Sequence, residues 1–381
     1  MEVKVRRHDI DWLRVIVFAL LIFYHVGMFF VPWGWHIKNN NTYEWLQWPM
    51  RFLNQWRLPI LFVISGMGTY YALSKRSIGV FSWERIKRLG IPLIFGMLMI
   101  VPPQIYFERL DKGQFIGSYY DYFTTIAFDG IYPEGNFSWH HLWFLPYLLI
   151  FSLLLGPIFV YLKKNKTILI GWIRKQVQKP FGLYLFIIPL YLLEAFMEPY
   201  FDVTHALLDD WFNFTFSFVL FFYGFILISI GDTFWKSLEK IKNKALFLGI
   251  IAFLAQVLIW LFLEDGYVVH YTEALLKVAN IWSWILVLFA YAAKYRNKKS
   301  ALLSYCNRAV YPFYILHQTV TISIAFYLMN LDWGLFSKFC VLTIGTFLIT
   351  WFIYHIIILQ IPLLHPLFGL KSKRKSNTEE I

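Results

Sequence analysis

Long apolar runs, separated by short connections that hold most of the charge, dominate this chain of 381 residues. Ten runs can be drawn, at about 11–33, 56–74, 89–107, 141–162, 181–197, 211–231, 245–263, 274–293, 302–329 and 337–360. Most approach the roughly twenty residues that a helix needs to cross a hydrocarbon core of about 30 Å. Several contain proline (Pro59, Pro92, Pro102, Pro103, Pro312), which membrane helices tolerate because neighbouring groups satisfy the freed backbone. The pattern predicts an all-α, polytopic integral membrane bundle of about ten spans over residues 1–370. A short basic and polar tail follows at 371–381. The longest connection, roughly 108–140, is polar and aromatic, too short for a second soluble domain. No internal repeat of the kind that inverted-repeat transporters carry is visible.

Composition strengthens this reading. Hydrophobic residues make up 59% and charged residues 15% of the chain, where soluble domains carry about 25% charge. The first run is too long and too aromatic for a signal peptide, and no small-residue cleavage site follows it. Cys306 and Cys340 imply neither a disulfide framework nor zinc spacing, and no metal is expected. The formal charge of +12 would point to nucleic acid if it were spread evenly. It is not. With the amino terminus in the cytoplasm, the inner segments hold 27 of the 35 lysines and arginines, and the outer segments hold 15 of the 23 acids. The outer basic residues are Lys38, Arg51, Arg57, Arg109, Lys112, Lys277 and Lys338, and Arg308 falls within the ninth run. That asymmetry is the positive-inside rule. It places both termini in the cytoplasm of a multi-pass protein of a cell membrane, the bacterial inner (plasma) membrane, with the lipid bilayer as partner and no role for nucleic acid.

Within the apolar runs, ionisable residues are costly and each one is a functional candidate. The first run, IDWLRVIVFALLIFYHVGMFFVPW, carries Arg14 and His25. Eleven residues at 100° each bring both to one helical face, about 16 Å apart along the axis. Asp11, three residues before Arg14, is within reach for a helical ion pair. The plain alternatives are an arginine that snorkels to lipid phosphates and a histidine bonded to a neighbouring helix. Arg85 and Arg88, in WERIKRLGIP, share a face at i and i+3 and form with Lys87 a cationic patch suited to phosphate oxygens; otherwise they are ordinary flanking charges. Arg57 opens RLPILFVISG at the outer end, against the charge trend, and faces either an anionic ligand or an outer acid. Ser65-Gly66 reads as a close-packing notch. HHLWFLPYL brings His140, His141 and Trp143 to the outer face, as acceptor contacts or aromatic-belt anchors. His317, in CNRAVYPFYILHQTV, lies at a depth comparable with His25, and two histidines at matching depth are a stronger signal than one. No GxSxG elbow, HExxH helix or glycine-rich phosphate loop occurs. His205 to Asp210 fits an H-x4-D pattern of glycerolipid acyltransferases but lacks the soluble domain that pattern needs, and reads as coincidence.

Taken together these residues resemble acyltransferase family 3, the polytopic membrane O-acyltransferases. Arg14-x10-His25 looks like that family's signature in the first span, and Arg85-x-x-Arg88 like its second. RLPILFVISG, HLWFLPYL and YPFYILHQ are similar to its glucan-modifying branch, which includes a periplasmic-glucan succinyltransferase. The resemblance covers about residues 8–365, and no fused extracytoplasmic esterase-like domain is present. It implies transfer of an acyl group, acetyl- or succinyl-like, from cytoplasmic acyl-coenzyme A to a hydroxyl of an extracytoplasmic glycan, with no permanently bound cofactor. In that reading Arg14, Arg85 and Arg88 hold the coenzyme A phosphates. His25 is the general base, with His317 as alternative base or orienting partner. Arg57, His141 and Trp143 meet the acceptor. The competing class is a transporter or flippase for an anionic or glycan substrate, which also needs polar groups at mid-membrane.

Overall fold

The computed structural model describes residues 6–164 and 168–371, so the expected tail lies, beyond Lys371, outside the described residues. Its helices run in order α1 (His8–Met28), α2 (Gln47–Leu73), α3 (Ile78–Arg85), α4 (Ile91–Phe95), α5 (Pro102–Asp111), α6 (Tyr119–Thr125) and α7 (Phe144–Lys164). There follow α8 (Ile168–Val177), α9 (Ile187–Phe196), α10 (Trp211–Ser229), α11 (Asp232–Phe262), α12 (Tyr267–Tyr295), α13 (Ala301–Leu328) and α14 (Leu335–Phe352). No β-strand occurs among the described residues; there is one isolated bridge, between Ile131 and Phe137. The protein is an all-helical, multi-pass membrane protein.

Nine helical stretches among the described residues are long and apolar enough to cross a membrane: His8–Met28, Ile78–Asp111, His140–Lys164, Gly182–Tyr200, Trp211–Ser229, Asp232–Phe262, Tyr267–Tyr295, Ala301–Leu328 and Leu335–Ile358. The expected tenth, at 56–74, is α2. Its 27 residues are ample in length, but Arg57 and the pair Tyr70-Tyr71 lower its hydropathy. Ile78–Asp111 is one long helical path with two wide π-turns, Ile86–Gly90 and Gly96–Ile100. Such i→i+5 turns are rare and concentrate at functional sites.

The chain divides into two compact units. The first comprises residues up to Leu21, Trp48–Ser82 and Tyr147–Asn307. Here α2 and α10 meet at reciprocal glycines: a Cβ on Gly66 would fall on the Phe221 carbonyl, and one on Gly224 on the Val63 carbonyl. Small residues of this kind let membrane helices approach closely, as Ser65-Gly66 suggested. Phe159 and Phe225 stack beside this crossing, 3.8 Å between centroids and 2° between planes. Glu194 on α9, buried, pairs with Lys277 on α12.

The second unit comprises Ile22–Gln47, Trp83–Pro146 and residues from Arg308 onward. After α1 the chain folds back on α13 and α14. Phe29, Phe30 and Ile37 are fully buried with Val26, Ile322, Ala325, Leu328 and Leu342, and Trp35 packs against this cluster. Two lysines close the exposed carbonyls of the helix ends. Lys38 donates to the carbonyls of Met28 and Val31, and Lys338 to that of Met329 and to Asn39. This segment, tied down at both ends, carries Trp35 and His36. The connection after α5 is tied by Arg109, which donates to Asn136, Gln114 and the carbonyls of Pro133 and Gly135.

Candidate active site

Three histidines converge in the second unit, from α1, α13 and the turn His140–Trp143 that leads into α7. His317 is fully buried and His25 half-buried. Nδ1 of His25 lies 2.8 Å from Nε2 of His317, with the two rings nearly parallel, 4° apart. The protons of this pair follow from a carbonyl. Nδ1 of His317 sits 2.8 Å from the Tyr314 carbonyl and 3.1 Å from that of Phe313. A carbonyl only accepts, so Nδ1 of His317 carries the hydrogen and its Nε2 carries a lone pair. Nδ1–H of His25 then donates to that lone pair, and Nε2 of neutral His25 is the basic nitrogen. A backbone carbonyl on α13 thereby sets the tautomer of a side chain on α1. A neutral imidazole keeps this basicity without a permanent charge at membrane depth.

His141 supports the pair from a third side. It is buried, its ring edge-on to His317 at 5.3 Å between centroids. Its Nε2 donates to the Ile315 carbonyl at 3.0 Å, and Nδ1 accepts from Gln104 at 3.4 Å. Gln104 also donates to Thr319 Oγ1 (2.7 Å), which donates to the Ile100 carbonyl (2.6 Å) inside the second wide turn. Gln318 donates to Gln104 Oε1 (3.1 Å) and to Nε2 of His36 (3.3 Å). Nδ1–H of His36 donates to Glu108, which is buried, and which also accepts from Lys112 (2.6 Å) and Tyr132 (3.0 Å). Burial and the Glu108 carboxylate push the Tyr132 phenol up to about 12, so it stays a donor. Every bond in this chain is directional, and each amide hydrogen has one address.

His140 stands beside the Glu108 group. Its ring meets those of His36 and Tyr132 at 4.6 Å each. Its backbone has φ +40°, a region that costs a non-glycine residue of order 1–3 kcal/mol.

The remaining sequence candidates divide between the units. Arg14, in the first, is half-buried and bonded to Asp11 (3.4 Å) and Asn307 (3.2 Å), so the expected helical ion pair is present. Arg85 and Arg88 are in the second. Arg88 is exposed and donates to the Gly369 carbonyl at 3.4 Å. The wide turn that starts at Ile86 adds a residue to its circuit, so Arg88 stands further round from Arg85 than an α-helix predicts. Arg57, in the first unit, is buried, with Nη2 3.5 Å from Asn54. Trp143 is buried, edge-on to Phe144. His205 feels both Asp210 and Arg57; burial drives its imidazole down to about 4, with Asp210 opposing and Arg57 adding to the shift. Asp210 is itself engaged by Tyr147, Thr204 and Asn213.

Sequence reasoning missed His36, Gln104, Glu108, Tyr132 and Gln318, and read His140 only together with His141, as an outer-face acceptor contact. An acid at the outer end of an apolar run and a polar Gln-Thr pair directly after His317 were the signals available. Among the described residues no group of His, Cys, Asp and Glu is arranged to hold a metal ion.

The sequence profile described as an acyltransferase domain, that of acyltransferase family 3, matches residues 7–355. The glucans biosynthesis protein C of Escherichia coli O1:K1 / APEC is 24% identical over 392 residues, covering 98% of this chain and 97% of that protein. The protein of the same name from Salmonella enteritidis PT4 (strain P125109) is 24% identical over 394 residues, with the same coverage. No solved structure matches. With the family profile spanning nearly all of the membrane helices, including those that carry His25 and His317, this chain belongs to acyltransferase family 3 and is an acyl-transferring membrane enzyme.

Proposed function

We propose that the protein transfers an acyl group from cytoplasmic acyl-coenzyme A to a hydroxyl of a glucan outside a bacterial inner membrane. The observation that carries this reading is the directional pair Tyr314 carbonyl, His317, His25, which leaves the lone pair of His25 Nε2 as the proton acceptor. The acceptor hydroxyl gives its proton to His25 Nε2 as its oxygen attacks the thioester carbonyl. The carbon–sulfur bond then breaks, and the leaving thiolate takes the proton back from His25 Nε2. The products are an ester and free coenzyme A, with no net proton released. A general base of this kind contributes about 10²–10⁴-fold. His317 orients His25 and spreads the charge of its imidazolium, and His141 buttresses His317.

Arg85 and Arg88 bind the donor phosphates, and Arg14 stands at the inner end of its own span. Guanidinium forks match phosphate oxygens, and the charge bias of the connections supports an inner location for all three, with both termini in the cytoplasm. About 30 Å of helix separates Arg88 from Glu108 at 1.5 Å per residue, the thickness of the hydrocarbon core. The third span thus carries donor groups at its inner end and acceptor groups at its outer end. Arg57 and Trp143 belong to the acceptor side. The glucan acceptor rests on the name of the relatives from Escherichia and Salmonella.

The test combines coenzyme A release by the purified full chain with mass analysis of the glucan. Wild type adds one acyl mass per coenzyme A released. Arg85→Lys and Arg88→Lys keep the charge but lose the fork, and raise the KM for acyl-coenzyme A by about tenfold, equivalent to ~1.4 kcal/mol. Coenzyme A release without a mass change on any glycan overturns the acceptor. An unchanged donor KM in both variants reduces these arginines to topology signals.

A further inference from the structure

Trp35, His36, His140 and Tyr132 have no task in the reaction as written, yet their rings form an unbroken row that starts at His25. Centroids are 6.5 Å apart from His25 to Trp35 and 5.9 Å from Trp35 to His36. They are 4.6 Å apart from His36 to His140 and again from His140 to Tyr132. All four side chains are half-buried. Nε2 of His140 is buried and has no hydrogen-bond partner among the described residues. A buried nitrogen left unsatisfied is costly, and so is its left-handed backbone, φ +40°. Both costs fall on one residue held between two rings that Glu108 fixes by hydrogen bonds. Such a residue is poised for a ligand rather than for the fold.

The chemistry of the row narrows the ligand. Aromatic faces attract polarised C–H bonds, while the Glu108 carboxylate, the imidazole nitrogens and the Tyr132 hydroxyl offer polar edges. A phosphate would meet Glu108 and be repelled. An acyl chain would leave His140 Nε2 unsatisfied. A sugar ring matches both requirements, with C–H groups on its face and hydroxyls around its rim.

We propose that Trp35, His36, His140 and Tyr132 form the sugar-ring subsite of the acceptor, with Trp35 as the platform next to His25 and His140 Nε2 as a hydrogen-bond partner of a sugar hydroxyl. This rests on the glucan reading above and assigns that acceptor its place. Under the proposed orientation the row opens from His25 toward the outer face.

The full chain in detergent is titrated with glucose oligosaccharides of α and β linkage, without donor, by calorimetry. KM values for oligosaccharide and acyl-coenzyme A are then measured separately. Trp35→Ala is expected to weaken oligosaccharide binding and raise its KM by about tenfold or more, ~1.4 kcal/mol, with the donor KM changed by less than about twofold. Trp35→Phe restores most of the affinity. His140→Gln, whose amide can reach the place of Nε2, lies closer to wild type than His140→Ala. Thermal midpoints of all variants establish that they are folded. Unchanged oligosaccharide affinity in Trp35→Ala and His140→Ala overturns the subsite, as does a parallel rise in both KM values. If wild type acylates glucan but these variants keep their acceptor KM, the subsite alone fails. If wild type binds no oligosaccharide and acylates only a lipid or protein hydroxyl, the glucan reading fails as well.

Discussion

Each unit joins a pair of ionisable side chains from two spans, one member buried and the other half-buried, and the pairs differ in what they leave over. In the first unit Glu194 and Lys277 meet as acid and base. Each is the other's hydrogen-bond partner, so the pair closes on itself and joins α9 to α12. In the second unit His25 and His317 meet as two imidazoles joined by one hydrogen bond. The Tyr314 carbonyl fixes the direction of that bond, and the basicity emerges at the far end, on His25 Nε2. An acid and a base satisfy each other and leave nothing over; two imidazoles in a directional series leave a nitrogen to act.

The largest expected effect tests the open pair. His25→Ala loses about 10²–10⁴-fold in acyl transfer, measured as ester formed per folded molecule, while acyl-coenzyme A still binds. A variant within about twofold of wild type, far inside that range, would reduce His25 to helix packing. The closed pair is tested next. Lys277→Met leaves the buried Glu194 uncompensated and costs about 3–5 kcal/mol of stability, and Glu194→Gln, which leaves the half-exposed Lys277, costs less. The double change to two apolar residues recovers most of the thermal midpoint. Turnover per folded molecule stays at the wild-type level throughout, and a fall in turnover at full stability would erase the distinction between the two pairs.

His317 sharpens the comparison at smaller scale. His317→Ala removes the acceptor for His25 Nδ1–H and costs about 10–100-fold, the range seen when the orienting partner of a metal-bound imidazole is lost. His317→Gln, which still offers an oxygen near the place of Nε2, recovers part of the loss and leaves the donor KM unchanged. A dead His317→Ala beside an active His25→Ala would exchange the two roles. The smallest effect lies in the first unit, at His205. The unfolded chain takes up a proton near the ordinary value 6.5, whereas the folded chain resists until about 4. Between those values the unfolded state binds more protons, so stability falls as the pH falls through that window. One pH unit below 6.5 is worth at most about 1.4 kcal/mol. The thermal midpoint followed from pH 7 to pH 5 declines in wild type and less steeply in His205→Gln.

The membrane class, the places of the spans and their polar interruptions were legible because each follows from local arithmetic. An apolar run long enough to cross lipid has one stable form, a helix that satisfies its own backbone. The rise of 1.5 Å per residue converts position into depth, which is why His25 and His317 could be matched in depth from the two runs alone. The notch at Gly66 was readable for the same reason, as a small residue in a span.

What a helix faces is not local. His25 and His317 are 292 residues apart and His36 and Glu108 are 72 apart. Their meetings depend on which ridges and small residues let particular helices approach. The wide turns at Ile86–Gly90 and Gly96–Ile100 shift the facing of everything after them, against the 100° count. His141 reads from the sequence as an acceptor contact, and only the fold places its two nitrogens on Ile315 and Gln104. Trp35 and His36 lie in a connection that carried no expectation at all, and Lys38 and Lys338 fold it back on α13. The sequence by itself determined that the chain is a helical membrane bundle and where nine of its ten expected spans run, because hydrophobicity and helical rise act along one chain. Only the tertiary structure decided which imidazole carries its proton on which nitrogen, because a tautomer is set by the partner across the helix interface.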